Sequence, residues 1–323
     1  MILVCGGAGY IGSHAVRRLL EMGEKVVVAD NLSTGHQQAV DPGAVFCQGD
    51  LRDASFVNQL FRRHSIESVM HFAAFSQVGQ SMTDPLMYYD NNLGGTLCLL
   101  KEMERQRIKK MVFSSTAAVY GEPSQTPVEE TEPTRPTNPY GETKLAVERM
   151  LHWANHSHGL QPVVFRYFNV AGAHPRGDLG ENHQPETHLI PLVLDTAKGE
   201  RDHIQVYGND YDTPDGTCIR DYIHVCDLVE AHVTGLRRLR QGAVPQVYNL
   251  GNNNGFSVME IIHAAERVTG RPIPVVQGQR RPGDPARLVA SSEKAASDLQ
   301  WEPRYSHIDT IIDTAWQWHQ RER

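Results

Sequence analysis

This sequence of 323 residues lacks several things that other classes of protein need. No apolar run approaches the roughly 20 residues of a membrane-crossing helix, so no membrane partner is expected. Positive charge is not in excess: the net charge is −7 with no basic block, which makes nucleic acid and anionic membranes poor partners. Cysteine is sparse. The five cysteines (5, 47, 98, 218 and 226) show no C-x-x-C spacing and lie mostly inside apolar runs. Buried, reduced thiols in the cytoplasm are expected, rather than disulfides or a metal site. The sixteen histidines include no H-E-x-x-H pair, and His152, His156 and His158 sit on a polar helix end, where they read as surface residues. No bound metal is expected on these grounds. The opening apolar run is too short for a signal peptide and reads as a strand. There is no internal repeat and no low-complexity linker. The composition that remains, 40% hydrophobic and 21% charged, suits one large α/β domain or two unequal ones.

The most informative stretch is Gly6-Gly7-Ala8-Gly9-Tyr10-Ile11-Gly12. Ile2-Leu3-Val4 before it is a β-type run. After it, Ile11, Ala15, Leu19 and Leu20 mark one stripe of a helix that stops at Gly23. A second run, Lys25 to Ala29, ends at Asp30. Strand, glycine turn, helix, strand and acid together make a dinucleotide-binding βαβ unit. Gly6, Gly9 and Gly12 let the backbone turn and approach a pyrophosphate, while the helix N-terminus offers free N–H groups and a positive dipole end. Asp30 stands where a carboxylate accepts both adenosine ribose hydroxyls and repels a 2′-phosphate. The expected cofactor is therefore NAD rather than NADP.

Strands and helices alternate to about residue 170. Further strands are expected at Ala44 to Gln48, Ser68 to Ala74, Lys110 to Ser115 and Pro162 to Phe168. Helices are expected at Ala54 to Arg63, from near Pro85 to Arg105, and from Asn138-Pro139 to about His156. This alternation implies an α/β fold, a doubly wound parallel Rossmann sheet with right-handed crossovers. Residues 171–187 are rich in Gly, Pro, His and charge, and short strands and helices are interleaved after them. The chain is thus expected to divide into an NAD-binding domain, 1–170, and a smaller α/β substrate-binding lobe, 171–323, some of whose segments return to the first domain. Such a lobe closes the cleft at the carboxyl ends of the sheet, where ligands bind in such folds.

Tyr140 and Lys144 are four apart near a helix start, so they share a face. A tyrosine of pKa about 10 is a poor base at neutral pH. A neighbouring lysine cation and the positive charge of an oxidised nicotinamide favour the tyrosinate. Thr116 follows the end of the fifth strand, where its hydroxyl could donate to a substrate oxygen and relay a proton to Tyr140. The bland alternative is a strand-end hydroxyl capping backbone groups.

The glycine spacing of three and three is typical of short-chain dehydrogenase/reductases. Other segments narrow the resemblance: Cys5 to His14, Asp30 to Gly35, Tyr88 to Asn92 with Gly95-Thr96, Tyr140 to Lys144, Arg166 to Asn169 with Ala171 to His174, and Gly216 to His224. Together they resemble the UDP-glucose 4-epimerase family of extended short-chain dehydrogenase/reductases. The resemblance runs from residue 1 to roughly residue 290 and on into Trp301 to Arg304.

The resemblance implies that Tyr10, Ile11, Asp30, Asn31, Leu32, Ser33, Thr34, Gly35, Asp50, Leu51, Phe72, Ala73, Ala74, Phe75, Ser76, Asn91, Lys144 and Phe168 line the NAD site. Tyr140 is then the base, assisted by Thr116, which stands where many members carry serine. Asn169, His188, Leu189, Tyr207, Arg220, Arg281 and Asp284 would hold the UDP part of the substrate. Arg220 and Arg281 are the fork donors a pyrophosphate needs. The resemblance also implies interconversion of UDP-galactose and UDP-glucose in galactose metabolism, and a homodimer pairing the helices near 85–105 and 140–156. By the same resemblance, Leu288 falls at the position that flanks the sugar 2-substituent in that family. Leucine there is shorter than the tyrosine that leaves room only for a hydroxyl, so slower interconversion of UDP-GlcNAc and UDP-GalNAc is also expected, while simple packing beside Val289 is the plainer alternative.

Three rivals remain at this level. A nucleotide-sugar 4,6-dehydratase needs an acid and a carboxylate beside the threonine, where this chain has Ala117-Ala118. A 4-epimerase acting on a UDP-uronic acid or UDP-pentose has no such obstacle. An NAD-sensing protein on the same scaffold need not keep Tyr140, Lys144 and Thr116.

Overall fold

A computed structural model describes residues 1–281 and 284–321. The first half alternates as its apolar pattern requires. Strands β1 (Ile2–Cys5), β2 (Val26–Asp30), β3 (Val45–Gln48), β4 (Ser68–His71), β5 (Lys110–Thr116) and β6 (Gln161–Tyr167) are joined through helices. These are α1 (Tyr10–Glu21), α2 (Ala54–Arg63), α3 (Val78–Thr83), α4 (Pro85–Tyr88), α5 (Gly95–Arg105) and α6 (Pro139–His158). β1, β2, β4 and most of β5 and β6 are continuously buried, as strands covered by helices on both faces are.

The second half contributes β7 (Asn169–Ala171), α7 (Leu189–Lys198), β8 (Ile204–Tyr207), β9 (Ile219–Arg220), β10 (Tyr222–His224), α8 (Val225–Arg240) and β11 (Gln246–Leu250). It ends with β12 (Phe256–Ser257), α9 (Val258–Thr269), β13 (Val275–Gly278), β14 (Arg287–Leu288), α10 (Glu293–Leu299) and α11 (Ile308–His319).

The central sheet has seven parallel strands in the order β11-β6-β5-β4-β1-β2-β3. The order reverses between β1 and β4, which opens a crevice beyond the carboxyl ends of those strands. β11 comes from the second half of the chain and pairs with β6, Tyr248 opposite Phe165. One core cluster accordingly runs from Ile2 through Leu228, Leu236 and Leu250 to Trp301. A second covers the other face of the sheet with Leu3, Phe61, Leu99, Met111 and Leu151. A third belongs to the later residues, among them Ile190, Val193, Ile261 and Trp316.

The helix expected from near Pro85 to Arg105 is not uniform. Between α4 and α5 the chain makes a π-helical stretch, Tyr89–Gly94. Such wide turns gather at functional positions, and this one brings Asn91 to the crevice with Asn92 buried behind it. Asn92 holds the neighbouring wall: its Oδ1 accepts from the Phe75 N–H at 2.8 Å, and its Nδ2 donates to the Phe75 carbonyl and the Thr143 hydroxyl at 3.1 Å. No helix among the described residues is long and apolar enough to cross a membrane.

Candidate active site

The crevice is a cleft of about 1060 Å³, lined from both halves of the chain. Its inner end is the turn between β1 and α1. Gly6 has φ +78°, and a Cβ on Gly12 would lie 2.0 Å from the Gly6 carbonyl oxygen, so the turn closes only on glycine. Gly9 caps α1 with no side-chain hydrogen bond, leaving the first-turn N–H groups for a ligand. Asp30, at the end of β2, is oriented by the Leu32 N–H on Oδ1 at 2.8 Å and the Ala8 N–H on Oδ2 at 2.9 Å. Asp50 accepts from Asn31 Nδ2 at 3.0 Å, and the Arg52 guanidinium beside it holds its carboxyl well below the usual range. A bare glycine turn, an uncapped helix start and a fixed carboxylate fit a dinucleotide: diphosphate at the turn, ribose hydroxyls at Asp30.

The middle of the cleft carries the titratable groups. α6 starts cleanly because Asn138 caps it, accepting from the Gly141 N–H at 2.9 Å, with Pro139 in the first turn. Tyr140 and Lys144 therefore project from the first turns of α6 toward the end of β5. Desolvation pushes the Tyr140 phenol up to about 12, while a hydrogen bond with Thr116 pulls the other way. The Lys144 ammonium is buried, and desolvation lowers it to about 7 against the attraction of Glu148. Its Nζ donates to the Ser114 carbonyl at 2.8 Å. The Thr116 hydroxyl also accepts from the Ala118 N–H at 3.1 Å, so the capping role and the contact with Tyr140 coexist.

The outer wall is built by short strands. β9 lies between β12 and β14, which sets Arg220 beside Leu288. Buried Asp221 locks this corner by accepting from the Asn252 N–H at 2.6 Å and the Ala290 N–H at 3.0 Å. Asn169 Nδ2 donates to the Asp221 carbonyl at 3.0 Å. The Arg220 guanidinium pairs with Asp284, and that of Arg281 lies over the Tyr207 ring, 4.0 Å from its centroid.

The pattern of the NAD dependent epimerase/dehydratase family matches residues 2–251. The chain belongs to that family. It is 56% identical over 319 residues to a UDP-glucose 4-epimerase of Lacticaseibacillus casei, an alignment covering 99% of this chain and 96% of the relative. A UDP-glucose 4-epimerase from Bifidobacterium longum, solved with NAD+ and UDP, is 41% identical and superimposes with a TM-score of 0.92, over 98% of this chain and 97% of that one. A UDP-Glc/GlcNAc 4-epimerase from Campylobacter jejuni is 40% identical with a TM-score of 0.87, over 99% and 98% of the two chains.

Most positions that the sequence singled out in this epimerase/dehydratase family member face the cleft, and three do not. Leu32, at φ +60°, contributes a backbone N–H to Asp30 rather than a wall. Leu189 packs against the third core cluster. Tyr207 meets the cleft only through the Arg281 guanidinium stacked on it. Conversely, the structure adds cleft residues to which the motifs assign no role, including Ser114, Tyr167, Glu181 and His183. The Ser114 and Tyr167 hydroxyls hydrogen-bond each other beneath Tyr140. Their neighbours Ser115 and Arg166 alternate to the other side of the strands, a period-two signal already present in the sequence.

Proposed function

We propose that this protein is a UDP-glucose 4-epimerase, an isomerase that interconverts UDP-galactose and UDP-glucose with NAD as resident cofactor. The observation that carries this reading is Thr116, Tyr140 and Lys144 brought together on the cleft beside a dinucleotide cradle, with alanines at 117 and 118. Bound NAD supplies a two-electron acceptor that oxidises the sugar at C4 and later returns what it took.

The protein's own groups handle the proton and the pose. Tyr140 takes the proton of the sugar 4-hydroxyl, with Thr116 hydrogen-bonded to the same oxygens. Its starting phenol is a weak base, so a cation is needed to bring it into range. Lys144 provides one in its protonated form, four residues along the same helix, together with the cofactor's own charge. The 4-keto sugar then turns while its UDP stays held by Asn169, His188, Arg220 and Arg281, and Tyr140 returns the proton. Catalysis in this scheme is orientation and a tuned phenol. Ala117 and Ala118 cannot move a proton, which argues against elimination of the C6 hydroxyl in the manner of a dehydratase.

Leu288 borders the cleft near Arg220, which supports acceptance of 2-acetamido sugars as a second, slower activity. The same reading carries a homodimer. α5 and α6 flank an apolar groove of about 460 Å³ beside Trp153, 69% exposed, and Leu97, 41% exposed. A second copy covering this face accounts for such exposure. Five free cysteines fit a reducing cytoplasm.

Purified protein assayed on UDP-galactose, beside UDP-glucuronate and dTDP-glucose, tests the proposal. Conversion of UDP-galactose to UDP-glucose is the expected result. Turnover of dTDP-glucose to a 4-keto-6-deoxy product, or of UDP-glucuronate alone, would overturn it. Sedimentation of the same sample at twice the chain mass checks the dimer.

A further inference from the structure

The segment between β7 and α7 holds a cluster of which the proposed epimerase chemistry uses only His188. Glu181, His183, Glu186 and His188 converge so that one potential ligand atom of each lies within 4.8 Å of the others. His188 Nδ1 is 2.8 Å from Glu181 Oε1 and 3.0 Å from Glu186 Oε1. His183 Nδ1 is 3.0 Å from Glu181 Oε1 and 3.9 Å from Glu186 Oε2.

Both carboxylate side chains are only 8% exposed, and among the described residues neither has a lysine or arginine ion pair. Glu186 Oε1 accepts from the Thr187 and His188 N–H groups at 2.7 and 2.8 Å. Its other oxygen, Oε2, is buried against the cluster without any hydrogen-bond partner. A buried carboxylate oxygen with no donor is costly and rare. Here it faces two imidazoles and a second carboxylate.

We infer that Glu181, His183, Glu186 and His188 form a closed four-ligand site for a zinc-type divalent cation. Two carboxylates balance a double positive charge, and two neutral imidazoles complete a nitrogen–oxygen set that suits zinc. Bonds of about 2.1 Å place tetrahedral ligand atoms about 3.4 Å apart, and the distances here straddle that spacing. Calcium and magnesium want six or more oxygens and are poorly served. With all four positions taken by protein, the ion is structural.

Its place in the fold gives it work to do. Trp318 Nε1 donates to the Glu181 carbonyl at 2.8 Å, His36 Nε2 lies 2.9 Å from the Asn182 carbonyl, and the His183 ring meets Tyr10 edge-on. The ion fastens a wall of the cleft between α11 and the glycine turn. Metal on His188 Nδ1 also leaves that ring's proton on Nε2, a fixed donor at the cleft edge.

The test uses the full chain and no sugar nucleotide, so it stands apart from the proposed reaction. Protein stripped with a chelator is titrated with Co²⁺ alone. Wild type is expected to develop the strong visible bands of four-coordinate cobalt, saturating at one ion per chain and bleached by Zn²⁺. Glu186→Gln keeps an oxygen for the two N–H groups but removes a ligand. It and His183→Ala are each expected to weaken cobalt binding at least about tenfold, a loss seen even when only an outer partner of a ligand is removed. Circular dichroism and bound NAD report whether each variant is folded. Wild type giving only the pale spectrum of aqueous cobalt overturns the site whatever the variants do. So does full saturation in both variants.

Discussion

Arg166 grips Glu148 with two prongs inside the protein, one helical turn beyond Lys144. Its Nε lies 3.0 Å from Oε1 and its Nη2 2.5 Å from Oε2, with both side chains under a tenth exposed. Arg166 Nη1 donates to the Tyr120 hydroxyl at 3.0 Å, which donates in turn to Asn249 Oδ1 at 2.7 Å. The Ser115 hydroxyl donates to the same Glu148 carboxylate. The helix that carries Tyr140 and Lys144 is thereby tied to β5, β6 and β11. Glu148→Leu strands a buried guanidinium, and a loss of about 3–5 kcal/mol is expected in urea unfolding. The double variant Glu148→Leu/Arg166→Met is expected to recover part of it. Single and double variants with the same small loss would mean that the pair does not anchor α6.

Tyr140→Phe removes the phenolic oxygen and keeps the ring. Turnover on UDP-galactose is expected to fall at least about 10²-fold, the usual scale of a general base. UDP affinity, read by calorimetry, stays close to that of wild type. A near-normal rate would remove Tyr140 from the reaction.

Lys144 links the site to the pH dependence of stability. Burial depresses it from 10.5 to about 7. Between those values the unfolded chain binds the extra proton, so folding stability rises with pH across this window. Below it, the lysine is charged in both states and its desolvation opposes folding in full. In the NAD-free protein, wild type is expected to gain stability relative to Lys144→Met as pH rises from about 7 to about 9. Thermal unfolding at several pH values reads this difference, and a flat or falling one would contradict it.

Asp30→Ala deletes the carboxylate fixed by the Ala8 and Leu32 N–H groups. Affinity for NAD is expected to drop relative to NADP, because ribose hydrogen bonds go and the like charge facing a 2′-phosphate goes with them. Dissociation constants for both cofactors with stripped protein check it. An unchanged ratio would place the ribose elsewhere.

Leu288→Tyr puts a larger ring where the cleft meets β14. Conversion of UDP-GlcNAc is expected to vanish while UDP-galactose turnover is spared. Equal loss of both activities would show that residue 288 supports the fold of the wall rather than gating the sugar.

The sequence is most legible where structure is local. β1, β2, β4 and β5 are runs such as Ile2-Leu3-Val4 and Met111-Val112-Phe113, and Asn138-Pro139 announces α6 by the chemistry of a cap and a fixed φ. β9, β12 and β14 have only two residues each, too few to show any period, and exist because they pair with one another. The π-helical stretch Tyr89–Gly94 sits inside apolar spacing that reads as one helix. Within the cleft, glycines and the Tyr140–Lys144 pair are visible by spacing. Asp221 is not, because its partners at 252 and 290 are far along the chain. The Glu181–His188 cluster has the same character. Its residues are close in sequence, but only the folded segment turns them toward a common point.

β11 also fixes a schedule for synthesis. The strand that completes the cofactor sheet, paired along Gln246–Leu250 to β6, is made only after α7 and α8. A chain emerging from the ribosome therefore carries β6 as an open edge, with no Tyr248 to stack on Phe165, until Leu250 is free. A fragment ending near residue 170 would keep that edge exposed and ready to pair with another copy of itself. The two halves are born in order but finish folding together.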